Sequence, residues 1–120
     1  MARYVDGFVI PIPKKKVKSY LRMARMGAKI WKKHGALAYA ECVGEDLKAP
    51  FGMGFPRMAK LEAGETVVFS WIVYKSRAHR DKVNAAVMKD PAMNDPAMKD
   101  AMPFDPKRFA MGGFQVLVEW

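Results

Sequence analysis

Four polar residues stand inside strand-like segments that are otherwise apolar: Asp6 in YVDGFVIPI, Glu41 in ALAYAECV, Ser70 in ETVVFSWIVY and Gln115 in FQVLVEW. A carboxylate set among aromatic walls such as Tyr39, Phe69 and Trp71 is desolvated, which raises its pKa toward the range a general acid or base needs. Asp6, Glu41 and Ser70 are therefore candidate catalytic residues, and Tyr39, Phe69, Trp71 and Gln115 candidate ligand contacts. The competing reading is structural: Asp6 and Glu41 pair with a basic group, Arg57 or Arg108, and hold the chain together. His34 is a further candidate, as a general base or haem ligand. It also stands just before Gly35, where a helix ends and an imidazolium complements the helix dipole. His79 reads as a solvated first-turn residue. Arg108 and Asp105 flank the turn before the last strand, which suggests an ion pair or turn-stabilising hydrogen bonds first and anion binding by Arg108 second.

Other chemistries are disfavoured. The single cysteine, Cys42, shares a face with alanines and reads as a small buried hydrophobe without a partner base. One cysteine and two histidines cannot build a Cys/His zinc site in one chain. Ten methionines, among them Met88, Met93, Met98 and Met102, raise soft-metal binding, but their spacing keeps no single helical face and prolines interrupt it. Adaptable packing accounts for them better, so neither a metal nor a cofactor is expected. Walker, GxGxxG, HExxH and GxSxG patterns are all missing from the sequence.

The elements that position these residues can be read from periodicity and punctuation. Tyr4–Ile12 is β-branched and aromatic and closes on prolines, a strand. Lys14–Lys33 follows as an amphipathic helix stopped at His34-Gly35, with Val17, Tyr20, Leu21, Ala24, Ala28 and Trp31 as its core stripe. Met26 and Ile30 flank that stripe. Ala36–Val43 alternates as a second strand. Lys48–Pro56 is a loop whose apolar tips imply a surface beneath, and Arg57–Leu61 pairs as a short strand before the turn at Ala63-Gly64. Glu65–Tyr74 is the clearest strand. Ser76 caps a helix to about Lys89, and Asp90-Pro91 and Asp95-Pro96 repeat a cap-plus-first-turn signal. Met102–Arg108 is a turn, and Ala110–Trp120 is the closing strand, with Gly112-Gly113 allowing a bulge.

This β-α-β-β-α-β order is the ferredoxin-like pattern of the α+β class, a single domain over residues 1–120 with one antiparallel sheet. Right-handed crossovers put both helices on one face of that sheet. Yet Val67, Phe69, Trp71 and Val73 alternate with Val68, Ser70, Ile72 and Tyr74, so both faces are apolar. The uncovered face exceeds what a soluble monomer tolerates, and a second copy packed sheet against sheet is the economical cover.

Charge is concentrated at one end. Residues 1–34 hold ten basic groups against Asp6 alone, while residues 35–120 hold eleven of each sign, so the formal charge of +9 belongs to the first strand and helix. At about 100° per residue, Lys14, Lys15, Lys18, Arg22, Arg25, Lys29, Lys32 and Lys33 share one arc. Such a stripe is either a solvated face or a polyanion site, with Lys15, Lys18, Arg22, Arg25, Lys29 and Lys32 touching RNA. Like charges at four-residue spacing cost about a few tenths of a kcal/mol per pair, which keeps the RNA reading alive. The longest uncharged stretch, Phe109–Val118, is ten residues, about half of a membrane span. A Pro-Lys run stands where a signal peptide would have its apolar core, so a cytoplasmic protein without membrane contact is expected.

YVDGF, GAL with ECV, VVFSW followed by Tyr74, DPAM, MPFD with Lys107-Arg108, and GGF together resemble the DUF1428 family over essentially the whole chain. The resemblance implies the dimeric α+β barrel superfamily and carries over no catalytic residues, because the family's biochemical role is not established. Related dimeric barrels house small-molecule enzymes whose pockets lie between sheet and helices or within the barrel. On that analogy the expected function is a homodimer that binds a small hydrophobic or aromatic compound, with turnover left open. The alternative is RNA or polyanion binding through the basic helix.

Overall fold

The computed structural model describes residues 2–96 and 102–120. Met98 and most of the second DPAM copy lie outside them. Four strands, β1 (Tyr4–Pro13), β2 (Ala38–Val43), β3 (Glu65–Tyr74) and β4 (Ala110–Gln115), form one antiparallel sheet in the order β2-β3-β1-β4. Helix α1 (Val17–Lys33) connects β1 to β2, α2 (Phe55–Met58) lies between β2 and β3, and α3 (Arg77–Lys89) follows β3. This is the ferredoxin-like arrangement expected from the element order.

Local chemistry explains the boundaries. The lysine run Lys14–Lys16 forms a 3-10 turn, so the α-helix proper starts at Val17. At its other end Gly35 sits at φ 106°, Gly35 N–H donates to the Lys32 carbonyl and Ala36 N–H donates to the Trp31 carbonyl. These are the two bonds of a Schellman motif, and they require a residue tolerant of the left-handed conformation. Ser76 accepts from His79 N–H and starts α3, and Asp90 accepts from Ala92 N–H and starts the following 3-10 turn.

Several expectations are corrected. Residues 57–61 do not pair as a strand: Pro56 opens the short helix α2 instead, a position where its missing N–H costs nothing. The glycine pair in β4 makes no bulge, since Gly112 and Gly113 face Gly7 and Asp6 in continuous register. That strand also stops at Gln115, short of Trp120. On α1 the buried residues are Tyr20, Ala24, Gly27 and Ile30, whereas Leu21 is 43% exposed. The core stripe is therefore rotated away from Leu21, diametrically opposite the basic arc. Cys42 is exposed, not buried, because it lies on the face of the sheet opposite α1 and α3. His79 is half-buried, receiving Lys75 N–H on Nδ1 at 3.0 Å and meeting the Tyr74 ring edge-on.

Register fixes the two faces. Asp6, Phe8, Ile10, Tyr39, Glu41, Ser70, Ile72 and Tyr74 share the face under α1 and α3. Val5, Val9, Ala40, Cys42, Phe69, Trp71, Val73 and Phe114 share the other. The core under the helices is divided in two. One cluster gathers Ile10, Ile12, Tyr20, Ala24 and Val68; the other gathers Ile30, Ile72, Tyr74, Val83 and Val87. Among the described residues no helix is long and apolar enough to cross a membrane.

Candidate functional site

A cavity of about 380 Å³ opens at the seam between these clusters and takes lining residues from both. That volume falls in the range of small-molecule sites. Strand positions Asp6, Phe8, Glu41 and Ser70 form its floor, Tyr20, Ala24, Gly27 and Trp31 of α1 its roof, and Asn84 and Met88 of α3 one end. Met93, Met102, Phe104, Phe109 and Met111 complete the wall. Methionine suits such a surface because its flexible, polarisable side chain adapts to an irregular guest.

Two polar groups of opposite design meet the cavity. The first surrounds Asp6, which is 1% exposed. Its carboxylate accepts from Arg80 Nη1 at 3.1 Å and from Asn84 Nδ2 at 3.3 Å, while Asn84 Oδ1 accepts from Trp31 Nε1 at 3.1 Å and from the Tyr74 hydroxyl at 3.0 Å. The Arg80 guanidinium lies over the Tyr4 ring at 4.9 Å and also pairs with Asp81 at 2.9 Å. Burial foremost, with the Asp6 charge behind it, pushes the Tyr74 phenol above its usual range. This network ties β1, β3, α1 and α3 together, and buried polar groups that are paired in this way specify the packing of a core.

The second group is Glu41. It accepts from the Tyr20 hydroxyl at 2.7 Å and from the Tyr39 hydroxyl at 2.6 Å. Burial first, and the hydrogen bond to Glu41 second, push both phenols well above their ordinary range, so both remain protonated donors. Each tyrosine touches a second ring: Trp31 lies 6.2 Å from Tyr39, and Phe104 lies 5.9 Å from Tyr20. Ser70, 4% exposed, lies opposite Glu41 on β3 and lines the same cavity.

The candidates therefore separate by position. Asp6, Glu41, Ser70 and Tyr39 meet at the cavity. Phe69 and Trp71 stack edge-on at 5.6 Å on the other face of the sheet, where Phe55 of α2 also reaches Phe69. Trp71 is also among the cavity's lining residues, between Ser70 and Ile72 of β3. Gln115 is exposed at the end of β4. His34 Nε2 lies 2.7 Å from Asp90 Oδ2, at the C-terminus of α1 and outside the lining. Arg108 does not pair with Asp6 or Glu41. It donates through Nη1 and Nη2 to the two oxygens of Glu65 at 2.7 and 2.8 Å and to the Lys60 carbonyl at 2.9 Å. This fork lowers the Glu65 pKa and raises that of Arg108. Arg80, not Arg57 or Arg108, is the partner of Asp6. Tyr20, Trp31 and Tyr74 read from the sequence only as core residues; for Arg80 and Asn84 the readable hint is their spacing, one turn apart on α3.

A two-layer α+β protein of ferredoxin-like topology, with a ligand-sized cavity between its layers, is the class these observations define. The chain belongs to the DUF1428 family, described as proteins of unknown function, whose model matches residues 3–106. It is 40% identical over 117 residues, 98% of each chain, to the uncharacterized protein YbaA of Escherichia coli K12, and equally to that of Shigella flexneri. Among solved structures it resembles a dimeric ferredoxin-like protein from an uncultured marine organism, with a TM-score of 0.68, 13% identity and full coverage of both chains. It also resembles a NIPSNAP family protein of unknown function from Agrobacterium tumefaciens, with a TM-score of 0.59, 18% identity and coverage of 96% of this chain and 88% of that one. A NIPSNAP domain protein from Burkholderia xenovorans aligns at 0.53, with 15% identity over 97% and 94% of the chains. At these identities the likeness is one of fold.

Proposed function

We propose that this protein is a homodimeric binder of a small, largely apolar compound, held between sheet and helices with Glu41 and Ser70 as its polar contacts. The observation that carries this reading is the cavity of about 380 Å³, walled by methionine and aromatic side chains around a small convergent polar set. Because the cavity lies inside one chain, its walls do not depend on the dimer. The dimer is supported by the apolar sheet face opposite the helices, and the marine neighbour is described as dimeric. An uncharged apolar dye, N-phenyl-1-naphthylamine, tests the pocket. Saturable fluorescence enhancement at one site per chain is expected, strongly reduced by Met93→Trp, which enlarges a half-buried side chain of the cavity wall. Absence of any saturable signal overturns the reading.

A second reading, RNA binding by α1, is favoured by one observation. Lys15, Lys18, Arg22, Arg25, Lys29 and Lys32 are exposed, and none makes an ion pair among the described residues. Binding of a short RNA that weakens steeply between 50 and 200 mM salt is the expected signature. No gel shift at micromolar protein in low salt removes it.

A further inference from the structure

The chain carries a formal charge of +9. Yet the described residues lining its cavity include two carboxylates, Asp6 and Glu41, and no lysine, arginine or histidine. Asp6 is neutralised from behind by Arg80 at 3.1 Å. Glu41 is not: its partners are two phenols, and it has no cation among the described residues. Hydrogen bonds from neutral donors stabilise a carboxylate without cancelling its charge. A half-buried anion in an apolar wall therefore leaves a field that only a cation complements. The surrounding rings act in the same sense. Tyr20, Tyr39, Trp31 and Phe104 line the same cavity, and π faces attract cations.

Resting on the pocket reading above, we propose that the cavity takes an organic ammonium, a protonated amine carried on an apolar body. Its charged head sits at Glu41 and its body lies against Met88, Met93, Met102 and Phe109. Neutral compounds of the same shape fill the volume but leave the carboxylate unmatched, and anions are repelled by it. The basic exterior disfavours adventitious adsorption of amines elsewhere on the molecule.

Calorimetric titration of the whole protein at pH 7 with 2-phenylethylamine, 2-phenylethanol and 3-phenylpropionate tests this, with N-phenyl-1-naphthylamine reporting the cavity in parallel. The amine is expected to bind at least tenfold more tightly than the alcohol, and the acid more weakly than either. Glu41→Gln, its fold checked by circular dichroism, is expected to bring the amine down to the affinity of the alcohol. If the dye binds but the amine is no tighter than the alcohol, or the acid binds best, the ammonium assignment is overturned and the pocket stands. A preference that persists in folded Glu41→Gln overturns it likewise. If neither the dye nor any of the three compounds binds, both readings fall. The ligand series on the unmodified protein decides the matter even where Glu41→Gln does not fold.

Discussion

Two carboxylates in this protein show how partners decide what a charge does. Glu41 has only neutral donors and faces a cavity. Asp90 has the ammonium of Lys33, Nζ at 3.1 Å, and His34 Nε2 at 2.7 Å on one oxygen, with Ala92 N–H at 2.9 Å on the other. The hydrogen bond from His34 foremost, then those from Ala92 and Lys33, holds the Asp90 carboxyl far below the usual carboxylate range. A depressed folded-state pKa means that the contribution to stability is complete above the unfolded value near 4 and is lost as pH falls through the folded value. Asp90 joins the C-terminus of α1 to the end of α3, so the effect should appear in global unfolding. Thermal melts between pH 6 and pH 2 are expected to show Asp90→Asn less stable than the parent at pH 6, with the gap closing as the pH is lowered. A gap that stays constant across that range would show that the carboxylate charge contributes nothing there.

Helix α1 carries the division of labour at the next scale. One side is a row of cations, and the opposite side presents Tyr20, Ala24, Gly27 and Trp31 to the cavity. Gly27 is the telling position. A methyl group there would lie 2.9 Å from the Tyr39 hydroxyl, which Glu41 holds at 2.6 Å. Alanine in a helix interior ordinarily gains about 1 kcal/mol over glycine. Here it must displace a hydrogen bond to a charged acceptor, which contributes about 1.5–3 kcal/mol. Gly27→Ala is therefore expected to destabilise by about 1 kcal/mol, whereas in a Tyr39→Phe background it becomes neutral or stabilising. Denaturant melts of the four proteins of the cycle measure this, and an equal effect in both backgrounds rules out the contact as the reason for the glycine. The same element shows what sequence could and could not convey. Strand alternation and the caps at Gly35 and Ser76 are local signals, and they located the sheet and both long helices. Which arc of α1 is buried depends on where β2 and β3 lie beneath it, so periodicity alone does not show that Ile30 is buried and Leu21 exposed. Asp6 and Glu41 stood out as polar residues on apolar strands. Tyr39 stands two residues from Glu41 on the same strand face, but Arg80, Asn84 and Tyr20 are joined to these carboxylates by the fold, at separations of up to 78 residues that no local pattern encodes.

The whole chain measures 39 × 38 × 21 Å with a radius of gyration of 15.2 Å, against about 13–14 Å for a compact chain of this length. A thickness of 21 Å is one sheet plus one helical layer, which leaves the face of Val5, Val9, Phe69, Trp71 and Phe114 without a third. Phe69 is 45% and Phe114 59% exposed there, beside the exposed thiol of Cys42, which lies opposite Phe69 in the β2–β3 register. A contiguous aromatic surface of this kind is what soluble monomers avoid and isologous dimers bury. If a second copy covers it, light scattering reads twice the 13.5 kDa chain mass across dilutions, and Cys42 reacts slowly with a water-soluble disulfide reagent. Phe69→Asp puts a charge at the centre of the contact without entering the cavity on the other face. It is expected to yield a folded single chain whose Cys42 reacts at the rate of a free thiol, with dye binding retained because the cavity is built within one copy. A parent protein that scatters as one chain and exposes Cys42 at once would show that this face is left to solvent.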